Sequence, residues 1–434
     1  MKKRTLLVCL ILVACTALWA GGNAEATAAA DAKANLTVSW WGNQQRNEIT
    51  QNVIDSFMEA NPNVVIDGQF NEWADYWNKL ATSAAGNALP DVIQMDYKYI
   101  NQYETNGLLL DLAPYIKDGT LDLSNIPESV SSVATEGDKV YGMMIATTAP
   151  ALLYNKNLLD SIGITAKDHM SIDEFIEIAR EVYKKTGIKT NIDYGDNENY
   201  LDYYMRSKGH ILYTDGGLGV PSAQEFVPFF KIYEEGIKEG WMVSPSIFVE
   251  RVLRSVEQDP LVYGSSNDAR SWCAFFWANQ IPATQKAANA EKFEVGVTNW
   301  PSDNHELSNY LKPSQFMVIS SKSKNPREAV QFLNYWLNSE TAGSYLLCER
   351  GVPVSSKVGE HIAPMLDEIN QKVVKYINTV VAPKSSPVNP PSPIAANEAS
   401  RLLGSLREQV CYGKITAEQA AQQFFTEANK ILAK

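Results

Sequence analysis

The chain of 434 residues is poor in histidine and cysteine, with four of one and five of the other. His169, His210, His305 and His361 stand singly. Cys273, Cys348 and Cys411 have the spacing of neither a zinc site nor a disulfide framework, and they read as small apolar residues. No metal or cofactor is expected. Beyond the N-terminus there is no long apolar run, which excludes a membrane-spanning body. Positive charge is also scarce. Lys and Arg number 38 against 50 Asp and Glu, a net charge of −12. Such a balance attracts neither phosphate backbones nor anionic membranes, so no nucleic acid partner is expected. No repeat of solenoid or propeller period is visible.

What is present begins with a separate object. Lys2, Lys3 and Arg4 precede the apolar run Leu6 to Ala14, and Leu18-Trp19-Ala20 offers a small-residue cleavage point. Residues 1–20 therefore read as an export signal and 21–35 as a flexible leader. Leu12-Val13-Ala14-Cys15 also resembles a bacterial lipobox, so Cys15 is either a lipidation point or an apolar residue of the signal. Removing the signal moves the net charge to −15, because three basic residues and no acidic ones lie in it. The remaining length favours two domains over one core.

A regular order follows. Leu36 to Trp40 reads as a strand, Glu48 to Ala60 as an amphipathic helix, and Val64 to Ile66 as a second strand. Ala74 to Ala85 is a helix, Asp91 to Met95 a strand, and Tyr97 to Thr105 a helix closed by Asn106-Gly107. Strand alternating with helix implies parallel strands and crossover helices. Ligands of such sheets bind beyond the carboxyl ends of the strands. Those ends carry Trp41, Gly42, Asn43 and Arg46, then Glu72 and Trp73, then Asp96 and Tyr97. The set is aromatic and polar and holds no glycine-rich phosphate loop.

Further along, strands are expected at Val140 to Met143, Ala151 to Tyr154, Val295 to Val297 and Phe316 to Ser320. Ser171 with Glu174, and Thr416 with Gln419, have capping-box spacing. Residues 267–280 are densely aromatic, and the Pro-rich stretch 383–393 reads as an ordered loop.

Several stretches resemble the extracellular solute-binding proteins of bacterial carbohydrate ABC transporters, the maltose-binding-like group. VSWWGNQQRNEITQNVIDSFMEANPNVVIDGQF resembles that family's opening strand, helix and strand, and EWADYWNKLATSAAGNALPDVIQMD its aromatic turn and Leu-Pro-Asp-Val strand. ALLYNKNLL, FLNYWLNSETAGSYLLCERGVPVSS and CYGKITAEQAAQQFFTEANKIL resemble later segments. The resemblance implies an α/β, two-lobed periplasmic-binding-protein fold, each lobe a mostly parallel sheet flanked by helices and joined by a multi-strand hinge. It implies lobes of 36–147 plus about 300–350, and 148–299 plus about 351–434. It further implies a monomeric, non-catalytic receptor on the extracytoplasmic side. Its partners would be a small-molecule carbohydrate and the membrane permease subunits of an importer.

Sugars offer hydroxyl edges and C–H faces, so their sites need aromatic platforms and planar polar groups. Trp40 shares a strand face with Leu36 and Val38 and reads as core. Trp41 lies on the other face and reads as a ligand contact, separable from folding. Asn43, Arg46, Glu72, Trp73, Asp96 and Tyr97 join it. Asp96 also suits the N-cap of the helix after it. Trp272, preferred over Trp277, and Trp300 beside Pro301 are the expected platforms of the second lobe. Arg350 reads as a cleft residue or a plain surface one, with the plain reading preferred. An extracellular enzyme acting on carbohydrate is the alternative, with Glu72 and Asp96 as its carboxylates. A receptor for a non-sugar solute is another, although no cluster for an amine or phosphate is visible.

Overall fold

The computed structural model describes residues 33–126, 134–192, 198–253 and 255–434. The export signal, Cys15 and all but the end of the leader lie outside them. Strand β1 (Ala34–Trp41) alternates so that Leu36, Val38 and Trp40 are each 2% exposed. It is followed by α1 (Gln44–Ala60), β2 (Val64–Asn71), α2 (Trp73–Ala85), β3 (Val92–Met95) and α3 (Tyr97–Thr105). α1 begins four residues before the periodic apolar pattern does. The Asn43 side chain accepts a hydrogen bond from the Arg46 N–H and starts the helix there.

Next come β4 (Met143–Thr148) and β5 (Pro150–Asn155), then α4 (Ile172–Thr186), α5 (Asn199–Ser207) and α6 (Val227–Glu239). β6 (Cys273–Trp277), β7 (Val295–Thr298) and β8 (Lys312–Ile319) follow, then α7 (Pro326–Asn338), α8 (Glu340–Leu346) and β9 (Val352–Pro353). The chain ends in α9 (Ala396–Cys411) and α10 (Ala417–Leu432). The capping boxes at Ser171 and Thr416 form, each with both reciprocal hydrogen bonds.

The strands form two main sheets, ordered β9-β4-β8-β3-β1-β2 and β6-β5-β7. Each has its own buried apolar cluster. Only the pairs β1–β2 and β1–β3 are parallel; the other pairs in the two sheets are antiparallel. The expectation of mostly parallel sheets is corrected accordingly. Crossover helices deliver β2 and β3 in the sense of β1, whereas β8 enters its sheet from the other lobe and runs the opposite way.

We place the lobe divisions from these pairings. β4 passes into β5 through Ala149. After β7 the chain stays on the second lobe: Arg206 of α5 donates to the Ser308 carbonyl, and Tyr203 donates to Asn309. It crosses between Asn309 and Lys312. β9 still pairs with β4, and Val358 and Ile362 pack beside Cys348, so the last crossing follows Ile362. At β9 the backbones nearly touch. Gly351 has φ +116°, and a Cβ there would lie 2.3 Å from the Thr147 carbonyl oxygen, so the position requires glycine.

Trp40 is the largest side chain on the inner face of β1. Its Nε1 donates to Asn47 Oδ1 over 2.9 Å, and its ring meets Phe70 at 5.7 Å. Trp40→Ala should lower unfolding free energy by about 3–5 kcal/mol, measured by urea denaturation. An unchanged midpoint would contradict the core assignment.

Candidate functional site

The ends of β1, β2 and β3 open onto a cleft between the lobes that encloses about 2280 Å³ of empty space, open solvent included. Trp41, Asn43, Arg46, Glu72, Trp73, Asp96 and Tyr97 all line it. Their convergence follows from parallel strands that end along one edge. Helix starts then fix two of the polar groups. Asn43 caps α1, and Asp96 caps α3 by accepting the Lys98 N–H at 2.9 Å. Gly42 leaves room for the Arg46 side chain, whose Cδ would lie 2.3 Å from a Cβ at that position.

Trp41 is more deeply set than a pure ligand contact. It is 7% exposed and packs edge-on to Trp73 at 5.0 Å and Tyr76 at 5.4 Å, with Trp77 at 5.5 Å. Trp77 in turn meets Tyr99 at 4.1 Å. Trp41 thus covers the cluster with one part of its surface and lines the cleft with another. The separation of binding from folding expected at this residue is corrected.

The second lobe supplies Phe275, Phe276 and Trp277 from β6, with Tyr213 and Phe248. Two expected platforms are absent from this wall. Trp272 is fully buried, donating from Nε1 to Thr190 Oγ1 at 2.8 Å and packing on Phe175. Trp300 is also fully buried, between Tyr203 and Trp277 at ring distances of 5.3 Å. The physical reason is position along the strand. Trp272 precedes β6 at the end away from the cleft and is buried in the same cluster as Phe275, whereas Trp277 is the last residue of β6 and lines the cleft. Trp277 reaches the cleft, and Trp300 supports it from behind.

The Pro-rich stretch forms part of the same wall through Val388, Asn389, Pro390 and Ser392. Arg206 anchors it, donating to Asn389 Oδ1, Ser386 Oγ and the Pro387 carbonyl. Two contacts join the lobes here. Tyr97 Oη donates to the Asn389 carbonyl at 2.9 Å, and Lys98 Nζ meets Glu198 at 2.5 Å. Burial raises the Tyr97 pKa, so its hydroxyl remains a donor.

Several charges in the cleft are paired. Arg46 Nε lies 2.7 Å from Glu349, whose other oxygen is 2.8 Å from Arg350 Nη1. Arg350 is 3% exposed, which corrects its reading as a surface residue. It also donates to Gln94 Oε1 and Thr50 Oγ1. Burial lowers its pKa to about 9 against the opposing pull of Glu349. For Glu349, burial raises the pKa, but the charges of Arg46 and Arg350 outweigh it and the net direction is down. Burial pushes the carboxyls of Asp202 and Asp259, both at the cleft, up to about 6 and about 7.

Sequence reasoning did not find Glu349, Lys312 or Asp202. It weighed Trp277 against Trp272 and preferred the wrong one of the two for the cleft. Glu349 meets Arg46 across 303 positions, a distance no local pattern reports.

Two α/β lobes around a polar, aromatic cleft at strand ends define a periplasmic-binding-protein fold. The sequence profile of the family "Bacterial extracellular solute-binding protein" matches residues 41–343, and the chain belongs to that family. It is similar to the lactose-binding protein of Rhizobium radiobacter, 25% identical over 317 residues, covering 69% of this chain and 68% of that one. Among solved structures it is similar to an extracellular solute-binding protein family 1 member from Alicyclobacillus acidocaldarius. That match is 27% identical, has a TM-score of 0.68 and covers 93% of this chain and 99% of the other. A periplasmic oligogalacturonide binding protein from Yersinia enterocolitica, solved with digalacturonic acid, shares the fold. Its TM-score is 0.78 at 20% identity, with 92% and 99% covered.

Two outcomes are expected. Trp41→Ala should cost about 3 kcal/mol in urea unfolding without any ligand, because its ring packs on three others; an unaltered stability would refute the dual role. Asp259 holds its proton more tightly folded than unfolded. Its contribution to stability is therefore full below about pH 4 and lost as pH rises through about 7. Compared with Asp259→Asn, the native protein should lose stability between about pH 4 and about pH 7 in parallel denaturation series. A pH-independent difference would refute the assignment.

Proposed function

We propose that the protein is an extracytoplasmic receptor that captures a sugar or oligosaccharide between its lobes. It closes by hinge motion and delivers the ligand to the membrane permease subunits of an ABC importer. The observation that carries this reading is the cleft itself. Trp41 and Trp73 of the first lobe and Phe276 and Trp277 of the second line one space with Asn43, Asn279 and Gln280. Flat apolar faces suit the C–H surface of a pyranose, and amides suit its hydroxyls. Names among the relatives point the same way: lactose for the Rhizobium protein and maltodextrin for a Bacillus subtilis protein 25% identical over 318 residues.

The reading extends to the whole chain. Residues 1–20 act as an export signal, with lipidation at Cys15 as the alternative to cleavage after Ala20, and the receptor works as a monomer without catalysis. The hinge is the set of crossings at Ala149, between Asn309 and Lys312, and after Ile362. Sequential contacts of the cleft with ligand would draw the lobes together.

Isothermal titration against neutral, amino and acidic mono- and oligosaccharides tests this. At least one sugar should bind, and small-angle scattering should show a smaller radius of gyration in its presence. Trp277→Ala should weaken that binding by about tenfold or more, equal to about 1.4 kcal/mol. Binding of a polyamine or a metal with no sugar bound would sink the proposal.

A further inference from the structure

Four cations line the cleft among the described residues, and the chain itself engages each of them. Arg46 is held by Glu349 at 2.7 Å and Lys98 by Glu198 at 2.5 Å. Lys312 Nζ lies 3.8 Å from Asp96 and 4.5 Å from the centre of the Trp277 ring. Arg251 donates to the carbonyls of Gln258, Tyr263 and Ala269. Carboxylates are in a different position. Glu72, Asp202 and Asp259 also line the cleft and form no ion pair among the described residues. Asp202 and Asp259 are hydrogen-bonded to amides instead, those of Asn389 and Asn191.

Resting on the receptor reading above, we propose that this cleft selects uncharged oligosaccharides and rejects uronates, with Glu349 as the residue that sets the choice at Arg46. A uronate carboxylate entering the cleft would meet cations already engaged, three of them by carboxylates and Arg251 by backbone carbonyls. It would also meet Glu72, a carboxylate of the cleft that forms no ion pair among the described residues. Like charges placed together in a partly desolvated space disfavour the complex. A hydroxyl faces no such conflict, because an arginine held by one carboxylate keeps N–H groups for other acceptors. Glu349 does not need to touch the ligand. It acts through Arg46, as a positioning residue that offsets part of that arginine's charge. Its own place is secured from behind by Arg350, which is held by Thr50 and Gln94.

The test compares the full-length mature protein with Glu349→Gln and Glu72→Gln by titration against maltotriose, a galacto-oligosaccharide and digalacturonate. The native protein should bind a neutral sugar and bind digalacturonate more weakly than it. Glu349→Gln should move the ratio of the two affinities toward the uronate by about tenfold, since it releases the charge of Arg46. Glu72→Gln leaves the Arg46 pair intact and should move the ratio the same way by a smaller factor, so it decides the question if the first variant does not fold. Tighter binding of digalacturonate than of every neutral sugar by the native protein would overturn the selection while leaving the receptor reading in place. A ratio unchanged in both variants would overturn the role of the carboxylates. Absence of binding to all three classes of sugar would instead strike the receptor reading itself.

Discussion

The linked charges Arg46, Glu349 and Arg350 tie together the parts of the first lobe that the ligand cleft depends on. Arg46 stands in the first turn of α1, and Glu349 follows α8. Arg350 donates to Thr50 in α1 and Gln94 in β3, and lies over the Trp336 ring of α7 at 5.0 Å. One buried guanidinium therefore holds segments from the start, middle and end of the lobe. Burying such a charge is unfavourable unless it is paired and fully hydrogen-bonded. Here the carboxylate between two arginines supplies the pairing. The same carboxylate also pairs with the arginine at the cleft wall, so one buried anion is shared between a cation of the core and a cation of the cleft.

Much of the first half was legible because its signals are local. Period and caps located α1, α2 and α3, and the strand–helix alternation located the edge at which β1, β2 and β3 end. Trp41, Asn43, Arg46, Glu72, Trp73, Asp96 and Tyr97 followed from that edge without knowledge of side-chain packing. The second wall was less legible. Its residues arrive from β6, from turns and from the Pro-rich stretch, and the separations between them in sequence carry no period. Trp272 and Trp277 could not be ranked without knowing that 273–277 is a strand with one end at the cleft. Arg350 looked like surface because arginines usually are; its burial depends on partners hundreds of positions away.

Trp41 shows why a residue type at a strand end does not divide cleanly between structure and binding. Trp40 and Trp41 point to opposite faces, as strand geometry demands, but both faces of this sheet are covered near its end. Tyr76 and Trp77 from α2 close over the second face, and Tyr76 Oη reaches the carbonyl of Gln94 at 2.7 Å. A platform for a sugar ring must resist tilting, because a stacked contact weakens as the planes part. Packing three rings around Trp41 supplies that rigidity.

The hinge imposes the complementary condition. β4 and β8 lie side by side and continue into opposite lobes, so any bending is shared between paired strands and their hydrogen bonds. Close approach of Gly351 to the Thr147 carbonyl pins the third strand against them. Across the cleft, by contrast, the joining contacts among the described residues include polar ones: Tyr97 to the Asn389 carbonyl, Lys98 to Glu198, and Thr148 to Asn279 at 3.0 Å. Water can replace each of these when the lobes part, at little net difference in free energy. Apolar contacts between the walls could not be exchanged so readily, since their exposure is unfavourable in proportion to area. A ligand that lays its ring faces on Trp41, Trp73 and Trp277 would cover such surface in the closed form alone, and that difference between open and closed is what can drive closure.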